Sequence, residues 1–237
     1  MQTLQEREAV LRIIAGSCRG RIFEAPKGLS TRPTLDRVKE AVFGSVQFQV
    51  PGAVVLDLFS GSGNMGLEAA SRGASRVVCV DHDPACTALI RRNGEKLGLI
   101  PPVEVLCADY AAALTALKNK GFQADLVFLD APYASGLSEA AAVCIFREGL
   151  LSAEGRVFLE HGFDRPLRLE PGPYVYRKTR RYGTCGITEL IWQTQTQEVQ
   201  ELKSVCIPAV LIPLPLDIWM CLKALLSFLI RCMRPCC

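Results

Sequence analysis

The sequence predicts an α/β fold: a seven-stranded, mostly parallel sheet covered by helices on both faces, closed by an antiparallel C-terminal hairpin and preceded by a small N-terminal β-hairpin and helix. Three observations predict it. Between residues 54 and 130, apolar runs of strand length alternate with segments of helical periodicity, the pattern of a parallel sheet buried on both faces. The first of these strands stops at Asp57-Leu58-Phe59 and enters a turn, Gly61-Ser62-Gly63-Asn64-Met65-Gly66, that opens onto a helix, where glycine lets the backbone bend with positive φ close to a ligand. A chain of 237 residues with 49% hydrophobic side chains holds the core of one ordinary domain and some chain besides.

Taken in order, a short charged leader precedes residues 12–16 and 19–23, which read as a hairpin turning near Ser17-Cys18. Pro33 suits a first helical turn, and Leu35, Val38, Val42 and Val46 recur at helical spacing, so a helix is expected over about 34–47, ended by Pro51-Gly52. Strands follow at 54–59, 76–81, 103–107 and 125–130, with helices running to Arg72, over 84–97 and over about 111–119. A helix over 138–148 leads to a strand at 156–160, and strands at 174–179 and 184–192, joined by 180–183, form the edge hairpin. The expected organisation is a 1–50 extension, a 51–193 α/β domain and an apolar, cysteine-rich tail over 194–237.

Charge is modest overall, a formal +3, but uneven. Between Arg12 and Lys39 seven basic residues (Arg12, Arg19, Arg21, Lys27, Arg32, Arg37, Lys39) face only Glu24 and Asp36. A second segment sets Arg165, Arg168, Arg177, Lys178, Arg180 and Arg181 against Asp164 and Glu170. One charge run alone reads as a solvated face, but two flanking the same domain point to a phosphate-backbone partner. Of eleven cysteines, Cys206, Cys221, Cys232, Cys236 and Cys237 fall in the tail, and the other six are scattered without ligand spacing, which predicts reduced thiols and neither a disulfide framework nor a metal site. Residues 1–20 lack a signal-peptide core, and prolines with Asp217 and Lys223 interrupt the apolar tail, so a cytoplasmic monomer without a membrane span is expected.

The glycine turn fits GxGxxG, and Asp81 follows Gly61 by 20 residues, where a ribose-binding acid belongs. Either a dinucleotide or S-adenosylmethionine (SAM) satisfies that pattern; Asp57 decides between them. At about 4 Å a unit charge pair interacts by roughly 4 kcal/mol at an effective dielectric near 20, attractive for the ammonium and sulfonium of SAM and repulsive for a pyrophosphate. Phe59 in the turn, His82 beside Asp81, and Ala108-Asp109 after the third strand complete the expected cofactor contacts, with residues 106–110 flanking the purine. Asp109 reads equally as a helix cap, and one residue can do both.

Leu129-Asp130-Ala131-Pro132-Tyr133 ends the fourth strand. An exocyclic amine on a nucleobase is a poor nucleophile because its lone pair is delocalised into the ring. The Asp130 carboxylate and the Ala131 carbonyl can bind its two N–H groups and steer the nitrogen to a methyl, Pro132 holds the bend, and Tyr133 offers a stacking face. A cytosine-C5 mechanism needs a cysteine nucleophile in this loop, and there is none. His82 and His161 carry no partner pattern and read as surface or capping residues.

On these residues the segment 11–192 resembles the small bacterial 16S ribosomal RNA guanine-N2 methyltransferases. The resemblance is carried by residues 11–20, Thr31-Arg32-Pro33-Thr34 with Asp36-Arg37-Val38-Lys39-Glu40-Ala41, the 57–66 turn, the 130–133 loop and Tyr182-Gly183. It implies a Rossmann-like class I fold, SAM contacts at Asp57, Gly61, Gly63, Asp81 and Asp109, and a catalytic loop starting at Asp130. It also implies that the N-terminal hairpin and the Arg32 region hold ribosomal RNA, free or in a small-subunit assembly particle. Arg12, Arg19, Arg21, Arg32, Arg37, Arg180 and Arg181 are the expected RNA contacts. One departure stands out: the family loop reads Asp-Pro-Pro-Tyr, and Ala131 replaces its first proline, which removes one φ restraint and predicts a looser loop. A SAM- and RNA-binding protein without activity, and a DNA adenine-N6 methyltransferase, are the alternatives.

Overall fold

Apolar β-branched runs bounded by turns build the sheet. The computed structural model describes residues 10–26, 33–165 and 167–193, all within one compact unit. Strands β3 (Val54–Leu58), β4 (Arg76–Asp81), β5 (Val103–Cys107), β6 (Ala124–Leu129), β7 (Leu151–Gly162), β8 (Tyr174–Tyr182) and β9 (Cys185–Trp192) form one seven-stranded sheet in the order β5-β4-β3-β6-β7-β9-β8. Pairs from β5 to β7 are parallel, and β9 runs antiparallel to both of its neighbours. The order reverses between β3 and β6, and ligands of open α/β sheets bind at the carboxyl ends of strands beside such a switch.

Two cores flank the sheet. Helices α1 (Pro33–Ser45), α2 (Asn64–Ser71) and α3 (Pro84–Leu97) pack one face through Val42, Phe43, Leu67 and Ile90. Helices α4 (Tyr110–Asn119) and α5 (Leu137–Arg147) pack the other through Leu114, Leu117, Ile145 and Phe146.

Three expected boundaries move. In the N-terminal hairpin the paired strands are β1 (Val10–Arg12) and β2 (Ile22–Glu24). Ile13 still bonds across the hairpin to Arg21 and Gly20, and beyond it the chain leaves the ladder, the Ile14 and Ala15 amides donating to the Glu68 carboxylate at 2.8 and 2.9 Å. Strand β7 begins at Leu151 instead of 156: the Ser-Ala-Glu-Gly stretch before Arg156 is absorbed by a register shift opposite Ala124 and Leu126. Strand β8 runs on through Arg180 and Arg181, which sequence spacing assigns to the connection, so that only Gly183-Thr184 turn the chain. Edge strands tolerate charge; Arg181 donates to the Gly183 carbonyl at 2.9 Å and lies 4.5 Å over the Phe163 ring.

Among the described residues six cysteines are free, with Cys18, Cys79 and Cys185 buried. No group of metal-ligating side chains forms among those residues, and no described helix is long and apolar enough to cross a membrane. The leader, Thr31-Arg32 and the tail over 194–237 lie outside the described residues.

Candidate active site

The carboxyl ends of β3, β6 and β7 meet at a cavity of about 190 Å³. Its lining includes Asp57, Phe59, Gly61, Asp130 and Glu160 over a floor of Phe128, Phe158 and Ile187. Register explains the floor: Asp57 pairs with Phe128 across β3 and β6, Phe128 pairs with Phe158 across β6 and β7, and in-register parallel neighbours share a face. Three carboxylates therefore enter one cavity, and no basic side chain among the described residues lines it.

Asp57 is 3% exposed. Its Oδ2 accepts the Gly66 amide at 2.8 Å, an orphan donor in the first turn of α2, whose N-cap residue Gly63 supplies no side-chain cap. A Cβ on Gly66 would fall 2.4 Å from Cys79 Sγ, so only glycine brings this amide to Asp57. Burial is the main cause that pushes the Asp57 carboxyl up to about 7, helped by Asp81 and opposed by the Gly66 and Ser60 hydrogen bonds.

The turn itself is wrapped around carboxylates. The Gly61 amide donates to Asp81 Oδ2 at 2.8 Å, and Asp81 Oδ1 takes the Asp83 amide at 2.9 Å. Phosphate cradles offer free amides; here those of Gly61 and Gly66 are already occupied by side-chain oxygens. Phe59 adopts φ of 70°, a conformation costing a non-glycine residue about 1–3 kcal/mol. Its amide and that of Ser60 both donate to the Val80 carbonyl, and its ring turns to within 5.8 Å of the Tyr110 ring. Phe59, Leu106, Ala108 and Tyr110 form a half-buried apolar surface beside Asp81. Asp109 caps α4 through the Ala111 amide at 2.9 Å and is exposed. His82 is exposed and sits 3.5 Å from Asp81. Thus Asp57, Phe59, Gly61 and Asp130 line the cavity, whereas Gly63, Asp81, His82, Ala108 and Asp109 lie outside its lining, Asp81 joined to it through Gly61.

At the end of β6 the Asp130 side chain opens into the cavity and makes no hydrogen bond or ion pair among the described residues. The residue is exposed at the rim while its carboxyl is turned into the cavity, where the loss of water around it, and then Glu160 and Asp57, raise it above the usual carboxylate range. Ala131 is buried, and its amide donates to Ser138 Oγ of α5 at 3.0 Å. A proline there has no such donor, so the restraint expected to be lost with it is replaced by this tether. The Ala131 carbonyl accepts no hydrogen bond among the described residues, whereas the Pro132 carbonyl takes the Ser135 amide and hydroxyl. Tyr133 stands on the far side of the rim, in the wall of a neighbouring groove. Its hydroxyl donates to Glu160 Oε1 at 2.6 Å and its carbonyl takes Arg165 at 2.9 Å. Glu160 is the residue that sequence spacing overlooks. The available signal is position: like Asp57, Asp81 and Asp130, it is a carboxylate at the carboxyl end of a parallel strand.

His161 is not the surface residue expected. It is buried, with Nδ1 at 3.1 Å from the Gly162 carbonyl and Nε2 at 3.0 Å from Thr188 Oγ1, satisfied inside the sheet. Nor is Lys39 part of a solvated basic face. It is 1% exposed, bonds the Arg12 carbonyl and Asn64 Oδ1 at 2.6 and 2.8 Å, and pairs with fully buried Glu68, which also takes Arg72. Burial lowers its pKa, against the pull of Glu68. This network ties the N-terminal hairpin and α1 to the first turn of α2.

Of the expected RNA contacts, Arg12 pairs with Asp36, and Arg21 binds the Leu97 and Lys96 carbonyls at the end of α3. Arg19 and Arg37 are exposed without a side-chain partner among the described residues, and Arg32 lies outside them. Helix α1 packs beside β8, where Lys178, Arg180 and Tyr182 share a hollow with Ala41, Val42 and Ser45. The two basic segments, distant in sequence, adjoin.

Residues 11–191 match the family model described as Conserved hypothetical protein 95. The chain belongs to that family. The Bacillus subtilis protein named putative rRNA methyltransferase YlbH is 35% identical over 179 residues, covering 75% of this chain and 96% of its own. Ribosomal RNA small subunit methyltransferase D of Escherichia coli K12 is 30% identical over 173 residues, 73% of this chain and 85% of its own. Among solved structures, Escherichia coli yhhF superposes with a TM-score of 0.68 at 27% identity, covering 78% of this chain and 98% of that one. The Conserved hypothetical protein 95 fold seen here is thus the class I methyltransferase fold, and the residues matched span β1 to β9 without reaching the tail.

Proposed function

We propose that this chain is a SAM-dependent methyltransferase acting on the exocyclic N2 amine of a guanine in 16S ribosomal RNA, free or in a small-subunit assembly particle. The observation that carries the cofactor is the cavity lining: three carboxylates and, among the described residues, no basic side chain suit a cationic ligand and disfavour a pyrophosphate. The residues present fit SAM by donor chemistry. Asp57 would face its ammonium, Asp81 its ribose hydroxyls, and the Phe59, Leu106, Ala108 and Tyr110 surface its purine, with Asp109 at the purine edge. When bound, SAM supplies a methyl on a sulfonium that departs as a neutral thioether.

The rest is done by the chain. The free Asp130 carboxylate and the free Ala131 carbonyl are a pair of acceptors for the two N–H groups of an amine, which localises its lone pair and aims the nitrogen. Ser138 holds the backbone of that pair, and the Glu160 and Arg165 contacts hold Tyr133 beside the opening. As the nitrogen–methyl bond forms, the amine carries a surplus proton. Asp130, whose carboxyl is already biased toward protonation, receives it. Ribosomal RNA as substrate is supported by the small-subunit methyltransferase relative and by exposed Arg19, Arg37 and Arg180.

The test is methyl transfer from labelled SAM to small-subunit particles and to naked 16S RNA, with the product nucleoside identified. N2-methylguanosine is expected; SAM binding without transfer, or N6-methyladenosine, overturns the reading.

A further inference from the structure

We propose that Glu160 determines base specificity by accepting the ring N1–H of the target guanine, while Asp130 and the Ala131 carbonyl hold its C2 amine; this rests on the guanine-N2 reading above. Strand register sets the geometry. Phe128 pairs with Phe158, their rings 5.7 Å apart, and Leu129 pairs with Leu159, so Asp130 and Glu160 are the next positions on β6 and β7. Side chains alternate along strands spaced about 4.8 Å apart. The two carboxylates therefore return to the face of the phenylalanines, side by side at the rim of the cavity that both line.

Glu160 is held as a reader would be. Its Oε1 takes the Tyr133 hydroxyl at 2.6 Å and the Cys185 thiol at 3.2 Å. Its Oε2 accepts nothing among the described residues and is not sealed from solvent. One oxygen is anchored and the other is a free acceptor. The Watson–Crick edge of guanine presents N1–H beside the N2 amine, whereas adenine presents a bare N1 lone pair. A carboxylate accepts only: it attracts the first and repels the second. Glu160 takes no part in bond making, in which the N2–methyl bond forms, the sulfur–methyl bond breaks and the proton leaves N2.

The deciding substrate is 2,6-diaminopurine, which keeps the C2 amine and lacks the N1 hydrogen. With the methylated position mapped, 16S RNA carrying guanine or 2,6-diaminopurine there is made by splinted ligation and assembled into particles. Wild type is expected to prefer guanine by about a hundredfold or more in kcat/KM, the scale on which sites reject a base that leaves a buried acceptor unpaired. Glu160→Gln, which keeps an acceptor for Tyr133 and adds an N–H donor, is expected to lose guanine activity by about a hundredfold and to bring the two bases within about tenfold. Calorimetric SAM binding equal to wild type verifies that the variant is folded. Tyr133→Phe, which removes one of the two donors that anchor Glu160, is expected to narrow the preference and leave part of it, because the Cys185 thiol still holds Oε1. Wild type methylating both bases equally, or Glu160→Gln retaining the preference because Asp130 alone takes both N–H groups, would each overturn the role of Glu160. Wild type placing its methyl on something other than guanine N2 would instead remove the functional reading beneath it.

Discussion

Replacing Asp57 by Asn should move stability and cofactor affinity in opposite directions, and the pH dependence of the two should separate the causes. Asp57 titrates at about 7 in the folded protein against an ordinary 3.8. A raised folded pKa stabilises below the unfolded value, and that contribution is lost as pH rises through the folded one. Wild type without cofactor should therefore lose stability from this group between about pH 4 and pH 7. Roughly 3 units at about 1.4 kcal/mol each put the loss at no more than about 4 kcal/mol. Asparagine keeps an acceptor for the Gly66 amide and carries no charge to desolvate. At about pH 8 the variant should melt higher than wild type by several degrees, at about 2–4 °C per kcal/mol for a chain this long; the difference should fall to less than about half of that near pH 5 and nearly vanish only below about pH 4. SAM affinity should fall at about pH 8 by as much as roughly a thousandfold, the equivalent of about 4 kcal/mol for a charge pair near 4 Å. Differential scanning fluorimetry and titration calorimetry across that range measure both. A Tm gain independent of pH, or a SAM Kd within about threefold of wild type, would refute the assignment of Asp57 as a desolvated counter-charge.

Asp130→Ala should abolish transfer, by at least about a thousandfold in single-turnover kcat, with SAM binding retained by calorimetry. In wild type, where the cavity setting and Glu160 raise the Asp130 carboxyl, kcat/KM should climb with pH as that group loses its proton, and a flat profile would speak against its acceptor role. Ala131→Pro, which restores the proline common in such loops, should be harmful here: it deletes the donor to Ser138, costing about 1 kcal/mol, and should lower kcat rather than raise it. Lys39→Met should leave buried Glu68 with Arg72 as its charged partner, destabilising by about 3–5 kcal/mol and lowering Tm on the order of 10 °C, read by thermal melting at neutral pH.

What the sequence determined by itself follows from local chemistry. Alternating strands and helices, the glycine turn at 61–66, and the carboxylates Asp57, Asp81 and Asp130 at strand ends are legible because hydrophobic period and turn residues are properties of short segments. Those signals are enough to define the sheet, the glycine turn and the position of the loop at 130–133 at a strand end. Boundaries failed where a distant group competes for the backbone: Glu68 draws the Ile14 and Ala15 amides out of a ladder that local pattern would extend. Charge failed as a guide to exposure at Lys39, because whether a lysine is solvated depends on a partner 29 positions away in the chain. Only the tertiary structure brought Glu160 beside Asp130, since register between β6 and β7 is a relation between strands and leaves no trace in either alone. The same holds for Ser138, which tethers Ala131 across the α5 junction, and for the amides of Gly61 and Gly66, already bonded to Asp81 and Asp57. The turn predicts that something binds there; its occupied amides and three converging carboxylates decide the charge of what does.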